Sequence, residues 1–170
     1  MHKTRRMVLL ALLIAMASVL HVVESWLPLP LPVPGIKLGL ANIISLIVIV
    51  KFGWRDAIYV AVLRVLLASL FGGLFLGPAF VMSLSGAIGS IVVMAYVYHH
   101  WHCVFSVIGI SIIGAVIHNV VQITVAALLV SSVTLLWYLP YLILFALPTG
   151  LATGMTTIYF LAKFPSEIYR

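Results

Sequence analysis

The chain has 170 residues, of which 65% are hydrophobic and only 7% charged, and its mean hydropathy is +1.30. Soluble domains carry about 25% charged residues, so water is excluded as the solvent of this fold and a lipid bilayer takes its place. A net charge of +6 would suggest nucleic acid in a soluble protein, but these bases gather at the ends of apolar segments, where anionic headgroups are the partner.

The length suits one domain, residues 1–170. The single Cys103 excludes an internal disulfide and gives no metal signal. The opening MHKTRR imitates a signal peptide, but the apolar run behind it is about 20 residues long and reads as a retained first span. Apolar stretches then recur near 7–26, 38–51, 56–71, 78–98, 104–130 and 135–162. They predict an all-α polytopic membrane protein, a bundle of six transmembrane helices, with two spans short for a hydrocarbon core that needs about 20 residues. Between them stand turn-forming stretches: 28–35, FGWRD at 52–56, FGGLFLGP at 71–78, HHWHC at 99–103 and SSVT at 131–134.

Charge predicts the orientation. With the amino terminus cytoplasmic, Lys3, Arg5, Arg6, Lys51, Arg55, Lys163 and Arg170 fall inside, Lys37 falls outside and Arg64 lies within a span. Both termini are then cytoplasmic in a multi-pass protein. Trp26, Trp54, Trp101 and Trp137 fall at predicted ends, where amphipathic rings favour the interface.

The first segment ends in HVVESWLPLPLPVPGIKLGLAN at 21–42, which holds Glu24, four prolines in seven residues, Lys37 and Asn42. A carboxylate, an ammonium and an amide around a rigid loop, in a chain that is mostly hydrocarbon, predict a binding site at one membrane face. On the third span Ala57, Ala61, Arg64 and Ala68 share one helix face, which should point into the bundle. An arginine at mid-span costs about 2.5 to 3.5 kcal/mol on insertion scales, so Arg64 needs an anionic or carbonyl partner. Glu24, a carbonyl freed by an interrupted helix, or a ligand would each serve. The fifth span carries Ser111, Ala115, His118 and Gln122 on one stripe with Asn119 beside it, at a depth near that of Glu24 and Asn42. Interhelical hydrogen bonding, worth about 0.6 kcal/mol in measured cases, is the alternative reading of that stripe.

Two faces of the first helix differ. Ala17, His21 and Glu24 look toward the pocket, while Ala11, Ala15 and Ser18 present small residues to something else. Gly150 and Gly154 form a similar pair on the last helix, assigned to packing within the bundle.

Missing chemistry narrows the function. Only Glu24, Asp56 and Glu167 are acidic, so neither an Asp-rich magnesium site for a diphosphate nor a phosphate-cradling Gly-Lys-Ser/Thr loop is written here. The expectation is a protein that is not an enzyme and has no cofactor. The four ligand-type side chains of HHWHC are too close in sequence to converge on one tetrahedral ion, and the stretch reads as an interfacial turn with no metal.

The opening RRMVLLALLIAMASVL, with its Ala11 and Ala15 pair, resembles the first helix of the substrate-binding S components of energy-coupling factor (ECF) transporters. Glu24, the Pro-rich loop, PGIKLGLANIISL at 34–46 and FGWRDAIYVAVLRVLLASLFGG at 52–73 resemble one branch more closely, the Gx transporter family, often labelled heptaprenyl diphosphate synthase component I. The resemblance runs from about residue 5 to 160. It implies a six-helix subunit of a bacterial cell-membrane ABC importer that captures a small molecule from outside. His21, Glu24, Lys37, Asn42, Arg64, His118, Asn119 and Gln122 would form its binding site. Ala11, Ala15 and Ser18 would dock on the transmembrane coupling subunit EcfT, with ATP used only by partner ATPase subunits. Pro28, Pro30, Pro32, Pro34 and Gly35 would belong to a gating loop. No complete vitamin-specific motif is present, and Arg64 with Lys37 favours a small anionic or amphoteric cargo. The family label offers an alternative: a membrane accessory subunit in polyprenyl diphosphate and quinone biosynthesis.

Overall fold

A computed structural model describes residues 3–26, 39–73 and 75–163. Among these residues the chain is helical throughout: α1 (Lys3–Trp26), α2 (Leu40–Phe52), α3 (Trp54–Phe71), α4 (Pro78–Trp101), α5 (Val107–Val130), a 3-10 turn (Val133–Tyr138) and α6 (Leu139–Lys163). Lys37 and the expected gating residues Pro28, Pro30, Pro32, Pro34 and Gly35 lie outside the described residues.

α2 forms the centre. Its sequence LANIISLIVIVKF is apolar around most of its circumference, with Asn42, Ser45 and Lys51 the exceptions, and a helix of that kind belongs inside a protein. All residues from Ile43 to Ile49 are buried, packed between α1, α3, α4 and α6. Gly39 sets its start in the left-handed region at φ 76°, which a side chain would strain, and Gly53 ends it at φ 97°.

Side-chain contacts fix the directions of the helices. Arg6 near the start of α1 pairs with Asp56 near the start of α3, while Glu24 near the end of α1 meets Gly39 ahead of α2. Hence α1 and α3 run together and α2 runs back between them. α5 and α6 form a close antiparallel pair because Gly150 and Gly154 have no side chain to hold the helices apart. A Cβ at Gly150 would lie 2.6 Å from Ile112 Cα, and one at Gly154 would lie 2.8 Å from Ile108 Cα. This is the intramolecular packing expected of the glycine pair.

Among the described residues, four segments are long and apolar enough to cross a membrane: Lys3–Glu24, Pro78–Trp101, Val107–Val130 and Val133–Lys163. The two remaining helices depart from the expected six spans for separate reasons. α2 has 13 residues and rises only about 20 Å at 1.5 Å per residue. α3 is apolar but carries Arg55, Asp56 and Arg64. The stretch expected to break the chain at 99–103 also differs, since His99, His100 and Trp101 complete the last turn of α4.

Candidate functional site: a polar cavity reached by all six helices

Burial sorts the polar residues. Ala57, Ala61, Arg64 and Ala68 all face inward on α3, and the Arg64 residue is only 2% exposed. One guanidinium nitrogen donates to Asn42 Oδ1 on α2 at 3.1 Å. Among the described residues, Arg64 Nε has no hydrogen-bond partner. An arginine has five N–H donors in a planar fork, so this buried group retains capacity for an anion or a carbonyl oxygen.

The Glu24 carboxylate, 6% exposed, accepts the Gly39 N–H at 2.5 Å. It therefore sits at the amino end of α2, where the unpaired N–H groups favour negative charge. Asn42 is one turn further along, held by its own N–H on Gly39 O at 2.8 Å. Glu24, Asn42 and Arg64 thus form a polar string from α1 through α2 to α3.

A cavity of about 30 Å³ opens beside this string, room for a water or two. His21, Glu24, Asn42 and Arg64 line it on one side, and His118 and Asn119 on another. The stripe read on α5 turns toward the same space, with Ser111 and Ala115 on its wall. Close approach of α4 permits this: a Cβ at Gly86 would lie 3.1 Å from His118 Cε1. Asn119 is tied as well, donating to the Leu142 carbonyl of α6 at 3.2 Å.

Two of the expected positions fall elsewhere, and a third is not among the described residues. Gln122 is buried on α5 but is not part of the cavity wall. Lys37 lies outside the described residues. Ser18, expected on the outward small-residue face, is buried and donates to the Ile14 carbonyl of its own helix at 2.8 Å. The spacing puts Ser18 within about 20° of Ala11, but burial deepens along α1, so neighbours cover the later residue and leave the earlier one open. Ala11 and Ala15 do stand exposed, on a face shared with Met7, Val8, Leu12 and Met16.

The cavity also recruits residues that sequence reading missed: Ser83 on α4 and Thr149 and Thr153 on α6. Thr153 shares a 2.7 Å hydrogen bond with Ser111. Thr149 and Thr153 are four residues apart beside Gly150 and Gly154, a spacing that places both hydroxyls near the α5 seam.

Fold and site together define a helical protein of membrane type with an ionic, amide-lined cavity in its interior. The family follows from the sequence: the model of heptaprenyl diphosphate synthase component I matches residues 13–160, and the chain belongs to that family. No curated protein and no solved structure matches it.

Proposed function

We propose that the chain is the membrane-embedded substrate-binding subunit of an ECF-type importer, capturing a small anionic or amphoteric molecule. The observation that carries this reading is Arg64, a buried cation on a cavity wall with donor capacity remaining among the described residues, faced by Glu24, Asn42, His118 and Asn119. A mid-helix charge of this kind is costly in lipid and is a functional candidate by default. All six helices lie in the bilayer in this reading, with short α2 shielded from lipid by its neighbours. The basic end, with Lys3, Arg5, Arg6, Lys51, Arg55 and Lys163, faces the cytoplasm of a bacterial cell. Ligand pockets usually have about 300 to 1,000 Å³, so a guest larger than water requires the cavity walls to part.

The exposed face of α1 is the docking surface for the coupling subunit. Ala11 and Ala15 let another helix approach closely where lipid is as apolar as leucine. ATP is consumed by partner ATPases, and the chain itself catalyses nothing. Co-purification with a coupling subunit and its ATPases tests the reading, with loss expected in the Ala11→Leu, Ala15→Leu double variant. A complex that survives both substitutions counts against it.

The family description favours a second reading, a membrane accessory subunit of a prenyl diphosphate synthase. It predicts association with a soluble synthase and altered prenyl chain length or yield on deletion. Unchanged prenyl products would remove it.

A further inference from the structure

A second concavity, about 340 Å³, lies between the first turn of α3 and the last three turns of α4. Its floor is hydrocarbon, from Ile58, Ile91, Val92 and Ala95, and aromatic rings of Trp54 and Tyr96 flank it. From Ile91 to His99 the groove follows α4 for about 12 Å, enough for a length of one extended chain. Val92, Trp54 and Tyr96 are each more than half exposed, so the groove opens sideways, toward lipid in a bilayer.

Its upper rim is cationic. The Arg55 guanidinium lies 5.4 Å from the centre of the Trp54 ring, and His99 of α4 lines the groove together with that ring. His100 is engaged locally, its Nδ1 donating to the Tyr96 carbonyl at 3.0 Å. Among the described residues no acid answers this charge: Asp56 is paired with Arg6, and Glu24 is at the far end of α1. Paired Trp and Tyr rings with a basic residue above an apolar furrow are the arrangement expected at headgroup level.

We propose that this groove is a binding site for one anionic phospholipid of the surrounding leaflet, its chain along Ile58, Ile91, Val92 and Ala95 and its phosphate against Arg55 and His99. The inference rests on the bundle lying in a bilayer with this end at headgroup level. It does not depend on what the polar cavity captures. A neutral phospholipid offers the same chain but no net charge to the rim, so selectivity separates a site from ordinary solvation by lipid.

The full chain in nanodiscs of equal parts phosphatidylglycerol and phosphatidylcholine, released into native mass spectrometry, tests this. One phosphatidylglycerol per chain should survive activation. Val92→Trp fills the groove from a lipid-facing position and should lower the retained fraction roughly tenfold. Ile58→Trp is the second obstruction, should the first alter folding. Arg55→Gln should keep a lipid but lose the preference for phosphatidylglycerol. Arg64→Met, which touches only the polar cavity, should retain lipid as the unaltered chain does. Equal retention of both lipids by the unaltered chain, or undiminished retention in both tryptophan variants, overturns the site. Displacement of phosphatidylglycerol by an equal concentration of farnesyl diphosphate overturns the phospholipid assignment and gives the groove to an isoprenoid diphosphate.

Discussion

The two concavities of this bundle are built from opposite materials. The interior one is about 30 Å³, reached by all six helices, and its walls carry Glu24, Asn42, Arg64 and His118. The lateral one is about 340 Å³, made by two helices, with hydrocarbon on its floor. Ionic groups thus line the smaller space, while the larger carries charge only at its rim, at Arg55. Burying a charge is costly without partners, so the interior site is held tightly and admits little. The lateral groove has no such constraint, because no buried charge lines it. The contrast teaches that the small space meets a guest with charge in its walls and the large one with charge only at its rim.

The strongest test of that contrast is Arg64→Met. It should remove any small anionic molecule that co-purifies with the chain, seen as a lost mass in native spectrometry, and leave lipid at the groove. Stability should fall by about 3 kcal/mol, because Glu24 stays buried without the cation near it. If the small molecule remains, the interior cavity is not its site.

Next in size is Gly150→Leu. Its Cβ would meet the Ile112 backbone at 2.6 Å, forcing α5 from α6 and moving the wall formed by Ser111 and Thr153. A loss of about 1 to 3 kcal/mol is expected in denaturant titration, with weaker capture as a secondary effect. Unchanged stability would mean that the helices part easily and that the cavity can open there.

Glu24→Gln sharpens the comparison by separating charge from geometry. The amide oxygen can still accept the Gly39 N–H, so the cost should stay near 1 kcal/mol while binding of an amphoteric guest weakens more. Smallest of all, Ser111→Ala should cost about 0.6 kcal/mol, the usual worth of one interhelical hydrogen bond in a membrane bundle. A much larger loss would show that the Ser111–Thr153 contact organises the cavity.

Sequence and structure agree best where composition alone decides. Gly150 and Gly154, read as packing within the bundle, seat α6 against α5. Arg64 lies among small residues at helical spacing, and the whole face is inside. Ser83, Thr149 and Thr153 were illegible for a physical reason: serine and threonine on helices satisfy themselves on carbonyls three or four residues back, as Thr149 and Thr153 also do here. Their presence therefore signals nothing about a cavity. Ser18 misled in the opposite direction, because angular spacing fixes a face but not how far neighbouring helices reach along it. The end of α4 was read as a loop since His and Trp suggest an interface, yet nothing in YHHW breaks a helix, and no glycine or proline intervenes between Ala87 and His102 except Gly89.

The shortness of α2 has a consequence of its own. At about 20 Å it falls some 10 Å short of the roughly 30 Å oily layer. In the proposed reading, with its basic carboxyl end at the cytoplasmic surface, its amino end would stop below the opposite one. A helix start carries about half a positive charge, and in that reading the charge lies beneath the membrane skin rather than in water, where salt would mute it. The protein's own anion already stands there, since the Glu24 carboxylate accepts the Gly39 N–H, so a negatively charged solute at that depth would be drawn by Arg64 and repelled by Glu24 at once.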